Sequence, residues 1–120
     1  MLPLAVERIR ADGYELLAVE GEIDIATSPR LIAALNEAVT DTTGAVLVDL
    51  SAVEFMDSTG LALLIRAERR IGRRGRGFAV VCPEGPVRRI FELTDMVETL
   101  RVKPNLESAL SASSEELPAV

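Results

Sequence analysis

The chain has 120 residues, 48% of them hydrophobic but only 3% aromatic, which leaves room for one domain built on an aliphatic core. Its net charge of −6 argues against nucleic acid or an anionic membrane surface as a partner. Histidine is absent, which removes the commonest general base and the commonest metal ligand and weighs against catalysis.

The first residues, Met1 to Val6, carry neither the basic stretch nor the cleavage pattern of a leader. Val6 to Ile9 and Tyr14 to Ile23 then read as two strands joined through Asp12-Gly13, a strong hairpin signal. Asp24 falls at the end of the second strand. Thr27-Ser28-Pro29 opens a helix, with Ser28 expected as N-cap and Pro29 at the first helical position. Leu31, Leu35 and Ala38, with Ile32 and Val39 alongside, form its apolar stripe. Asp41 to Gly44 ends it.

Ala45 to Leu50 is apolar with almost no alternation, the mark of a strand buried on both faces. A second helix is expected from Ser58 to Ile71, broken by the Gly- and Arg-rich residues 72–77. Phe78 to Cys82 is another buried strand, and the lone Cys82 is expected to pack as a small hydrophobe in a reducing compartment. Gly85-Pro86 opens a third helix whose inner side is Val87, Ile90, Phe91 and Met96. Leu100 to Lys103 is a short last strand, and Pro104 starts a helix through Leu110. The order ββαβαβαβα predicts a single α/β domain over residues 1–110. Its central sheet is mixed but mostly parallel, with an antiparallel hairpin at its N-terminal edge. Residues 111–120, small, polar and acidic, are expected to be a flexible tail.

The most informative segment is Asp57-Ser58-Thr59-Gly60. It sets a hydroxyl where a strand hands over to the first turn of a helix. Backbone N–H groups there lack partners inside the helix, and their partial positive charge favours an anion. A phosphate on Ser58 would add ≈ −1.5 to −2 charges and three acceptor oxygens. Gly60 leaves room for an approaching group. Asp57 is adjacent, and Asp24 lies close if the second and third strands are neighbours. A phosphate is thus tolerated at the helix start but changes the field toward any partner, which suits a switch. The plain alternative stays open: Asp57 or Ser58 is only an N-cap, and Gly60 only a packing residue.

Three segments carry a family resemblance: Gly21-Glu-Ile-Asp-Ile-Ala-Thr-Ser-Pro-Arg-Leu31, Val48-Asp-Leu-Ser-Ala-Val-Glu-Phe-Met-Asp-Ser-Thr-Gly-Leu61 and Arg89-Ile-Phe-Glu-Leu-Thr-Asp95. In order and over about residues 5–110 the chain resembles the STAS domains of bacterial anti-sigma factor antagonists. The resemblance implies that Ser58 is phosphorylated by a partner that is both an anti-sigma factor and a serine kinase. The unmodified form would bind that partner and free a sigma factor; a serine phosphatase would restore it. Asp24 matches an acid beside the family's phosphosite, with Asp57, Thr59 and Gly60 completing its surround. Thr59 is a secondary candidate for modification.

Leu61, Leu64 and Ile65 suit the core side of the second helix. Ala62 and Leu63 are expected off that side, an apolar spot next to Arg66 where a partner could dock; cover by another element is the plain alternative. Arg66, Arg69, Arg70, Arg73, Arg74 and Arg76 read as a solvated basic face or as a patch for an acidic partner.

A serine hydrolase elbow would need glycine where Met56 stands, and a base. No phosphate-loop motif occurs, and no cofactor is expected. A receiver-like phosphoaspartate at Asp49 or Asp57 lacks its accompanying acids and late lysine. The remaining alternative keeps the fold: a STAS adaptor in a transporter or stress-sensing assembly, working without phosphate. A cytoplasmic protein with no membrane insertion is expected, since no apolar run reaches ~18 residues.

Overall fold

A computed structural model describes residues 3–113. The elements run β1 (Ala5–Ala11), β2 (Tyr14–Ile23), α1 (Ser28–Asp41), β3 (Ala45–Met56), α2 (Ser58–Gly72), β4 (Phe78–Val81), α3 (Pro86–Leu93), β5 (Val102–Lys103) and α4 (Leu106–Ser113). The five strands form one sheet in the order β1-β2-β3-β4-β5. β1 pairs antiparallel with β2 and every other pair is parallel. The α/β class, the element order and the mixed sheet with its antiparallel edge are therefore as the sequence predicts. Among the described residues no helix is long and apolar enough to cross a membrane.

The two faces of the sheet are covered unequally. Leu17, Val19, Val48, Leu50 and Phe78 point to one side, where α1, α2 and α3 supply Leu31, Leu35, Leu64, Ile71 and Phe91 to the main core. On the other side α4 alone covers Leu16, Leu47, Ala79 and Val81 through Ala109. Central β3 and β4 are thus buried on both faces, which explains their unbroken apolar runs. A fully buried Leu or Phe there is worth roughly 2 kcal/mol relative to exposure. Cys82 is buried among them, and burial pushes its thiol pKa up to about 11, so it stays protonated at neutral pH.

β3 is twice as long as Ala45–Leu50, continuing to Met56. The polar residues that hide its second half from a periodicity reading belong to two register shifts against β2, between Ala18 and Glu20 and between Gly21 and Glu22. At the second shift one step of β2 faces two of β3, so Glu54 and Phe55 are both exposed between buried Val53 and Met56. Gly21 sits there at φ +116, with its Cα so close to the Pro3 carbonyl that a Cβ would lie 2.4 Å from the oxygen.

Three helix boundaries differ from expectation. Thr27, not Ser28, holds the cap position of α1; Ser28 is buried inside the first turn and donates to the Ile25 carbonyl. α4 starts at Leu106, with Asn105 Oδ1 accepting from Ser108 N at 2.9 Å, so Pro104 precedes the helix. α4 also runs past Leu110 to Ser113, and Ala112 and Ser113 are buried. The rest of the expected tail, residues 114–120, lies outside the described residues.

One buried charge network pins the hairpin. Glu15 is fully buried on β2, and Arg8 donates to it twice, at 2.6 and 3.0 Å, while also reaching Asp41 at the end of α1. The hydrogen bonds to Glu15 raise the guanidinium pKa of Arg8 further above its ordinary value.

Candidate modification site and docking surface

The entry of α2 is built by a residue pair with divided roles. Asp57 is extended (φ −101°, ψ −172°), and its Oδ1 accepts from Thr59 N at 2.9 Å. Asp57 is therefore the N-cap. Ser58 is exposed, and among the described residues its hydroxyl makes no hydrogen bond. The alternative in which Ser58 serves only as a cap is thereby removed. Thr59 also offers a hydroxyl, but it is half-buried.

The backbone around this hydroxyl is already engaged. Asp57 N donates to the Ile23 carbonyl at 3.2 Å, tying the end of β2 to the entry of α2. Thr59 N goes to the cap, and Gly60 N and Leu61 N both go to the Asp57 carbonyl at 3.1 and 3.4 Å. The expected row of unpartnered N–H groups is thus largely used up, and what remains for an anion on Ser58 is the dipole of α2. The first turn of α2 carries no acidic side chain, so the acid next to Ser58 in the chain is the cap Asp57 itself.

Gly60 is buried and faces inward, not toward solvent. A Cβ there would lie 2.5 Å from Met56 Cγ and 2.9 Å from Ile23 Cγ2. Its missing side chain lets α2 close on β2 and β3, so the packing role is the correct one and the expected role in admitting an outside group is not.

Ile23 and Met56 are partners in the parallel β2–β3 register, so Asp24 and Asp57, each one residue further on, emerge at the same edge of the sheet. Asp24 is half-buried and organises its own turn. Its Oδ1 accepts from Ala26 N at 2.9 Å and Thr27 N at 3.0 Å, and its carbonyl accepts from Ser28 N at 2.8 Å. Two carboxylates thus stand at the edge where Ser58 is presented.

The docking spot needs one correction. Leu63 is 4% exposed and belongs to the core, where α2 faces α1. Periodicity alone predicts a single buried stripe for α2. The helix buries a second one, Leu63 and Ala67, against α1, and the two helices are also linked by Arg70 donating to Asn36. Ala62 is half-buried and Arg66 is exposed, as are parts of Leu61 and Ile65.

Two apolar residues at this edge escape a sequence reading. Ile25, in the turn after Asp24, is 78% exposed, and Phe55, two residues before the cap, is 49% exposed. The available signals were a large apolar residue inside a tight turn and the break in alternation at Val53-Glu-Phe-Met56. Exposed apolar area beside a free hydroxyl is suited to protein contact. Among the described residues no three Cys, Asp or Glu side chains gather as a metal would require.

Comparison with known proteins agrees with this geometry. Residues 6–109 match the STAS domain family. The chain is similar to the anti-sigma-F factor antagonist RsfB of Mycobacterium tuberculosis, 37% identical over 100 residues, covering 83% of this chain and 81% of that protein. It is 28% identical over 104 residues to the anti-sigma-B factor antagonist of Staphylococcus aureus, covering 87% and 96% of the two chains. A crystal structure of an anti-sigma factor antagonist from Mycobacterium paratuberculosis superposes with a TM-score of 0.85 at 36% identity, covering 93% of this chain and 95% of that one. The chain belongs to the STAS-domain family, among the anti-sigma factor antagonists.

Proposed function

We propose that the unmodified chain captures an anti-sigma factor that is also a serine kinase, so releasing a sigma factor, and that phosphorylation of Ser58 ends the association. A serine phosphatase would reset it. The observation that carries this reading is an exposed Ser58 hydroxyl with no hydrogen bond among the described residues, beside a cap formed by a different side chain. A kinase can reach such an oxygen without unfolding α2. The added charge would stand beside Asp24 and Asp57 and would repel any acidic group of a partner seated on Ile25, Phe55 and Ala62. The chain itself acts as substrate and ligand, not as catalyst, and works without a cofactor.

The test is incubation with ATP and the cognate anti-sigma factor, followed by intact mass and partner binding. Wild type gains one phosphate and dissociates; Ser58→Ala gains none and stays bound; Ser58→Asp does not bind. A second phosphate, or one that survives Ser58→Ala, would move the site to Thr59. Exposed Ile25 and Phe55 also fit an adaptor that docks without phosphate. That reading wins if wild type is never modified and both Ser58 variants bind alike.

A further inference from the structure

The opposite end of α2 carries a cavity that the reading above does not use. It is an open cleft of about 870 Å³ at the start of β3 and β4, within the size range of small-ligand sites. Arg69, Arg73, Arg76 and Arg101 line it, and among the described residues Glu68 is the one carboxylate of the lining. Arg69 and Arg73 are exposed and form no ion pair among the described residues, with Glu68 or any other acid. The chain as a whole is acidic, so four guanidinium groups around one cleft run against its overall charge.

Arg76 supplies a second, independent pointer. It is half-buried and fixed by three uncharged acceptors: Nε donates to the Gly44 carbonyl at 2.9 Å, Nη1 to the Val39 carbonyl at 3.0 Å and Nη2 to Thr42 Oγ1 at 2.9 Å. Burial first, then the charge of Arg74, pulls its pKa below the ordinary arginine value, with Glu15 opposing the shift in part. Arg76 forms no direct ion pair among the described residues, Glu15 acting on it only through space, so an anion in the adjoining cleft would meet a cation that no carboxylate touches. Arg101 is likewise held in place, donating to the Phe78 carbonyl at 3.4 Å. The arginines thus divide into two held ones on the wall and two exposed side chains at the mouth.

The geometry points to a binding site for a compact, multiply charged phosphate compound, clasped by Arg69 and Arg73 over the floor set by Arg76. Guanidinium forks match phosphate oxygens two at a time. Among the described residues the lining holds no aromatic side chain. A nucleobase would find no stacking partner, so recognition falls on the phosphates whether they are free or carried on a nucleotide. This inference is independent of Ser58, which lies about 16 Å along α2 from Arg69 at 1.5 Å per residue.

The experiment is calorimetric titration of the full chain with sodium tripolyphosphate, orthophosphate, ATP and an oligoglutamate peptide at matched low ionic strength. Saturable tripolyphosphate binding is expected, with affinity at least ~10-fold weaker in Arg69→Ala/Arg73→Ala. Unliganded melting of that variant should stay unchanged, since both side chains are exposed, and Arg89→Ala on α3 should bind as wild type. ATP should bind no tighter than tripolyphosphate. Four results overturn the proposal: no saturable binding, loss of binding equally in Arg89→Ala, ATP preferred by ~10-fold or more, or the peptide preferred over tripolyphosphate.

Discussion

The two ends of α2 present opposite chemistry from one rigid element. At its start, an exposed hydroxyl stands at the same end of the sheet as Asp24 and Asp57, where Ile25 and Phe55 are also exposed. At its finish, arginines gather around an open cleft. The difference follows from the helix dipole and from the sheet. The strand ends of β2 and β3 deliver carboxylates to one edge and turn residues to the other, while positive charge is favourable near the last carbonyls of a helix. On the proposed reading the acidic end meets a protein surface that senses a change of charge, and the basic end takes something small.

The sharpest separation of the two ends comes from Ser58→Asp. It should weaken binding to the anti-sigma factor by about 100-fold, equal to about 2.7 kcal/mol, with unfolding little changed. Equal binding by wild type and variant in a pull-down or titration would sink the charge-gating role. Gly60→Ala comes next. Its new Cβ meets Met56 and Ile23, so denaturant unfolding should report a loss of about 2 kcal/mol. Ile25→Ser should lower partner affinity by about tenfold yet leave the melting temperature unchanged, because Ile25 is 78% exposed. Asp57→Ala removes the cap and should cost about 1 kcal/mol of stability. Smallest is Arg73→Ala, at the other end: partner binding and unfolding should both stay within about 0.5 kcal/mol of wild type. A drop in partner affinity there would show that one partner spans both ends.

Much of this fold is legible because its signals are local. Asp12-Gly13 marks the hairpin, Ser28-Pro29 and Gly85-Pro86 mark helix starts to within a residue or so, and the unbroken runs at Val46-Leu-Val48 and Phe78-Ala-Val-Val81 announce strands covered on both faces. Ser58 stands out for the same reason, since a hydroxyl beside a capping residue is a short-range pattern. What stayed hidden depends on partners far along the chain. The second half of β3 looks like a loop until its register shifts against β2 are seen. Leu63 looks exposed until α1 is laid against α2. Gly60 looks like an opening until Met56 and Ile23 are found beneath it. Ile25 and Phe55 escape for the converse reason, since apolar residues suggest burial and only the fold leaves these two uncovered. The arginine run is visible as composition, but nothing short of the structure shows that Arg76 turns inward to hold the end of α1 and the start of β3.

The bond from Asp57 N to the Ile23 carbonyl has a kinetic consequence. It ties the helix entry to the sheet through main chain alone, so the phosphate proposed for the neighbouring hydroxyl would not need to break that tie. A molecule marked and cleared at that oxygen would then have nothing to refold between rounds. Its cycling rate would be set by the enzymes that write and erase the mark, and repeated use would cause no wear on its own architecture.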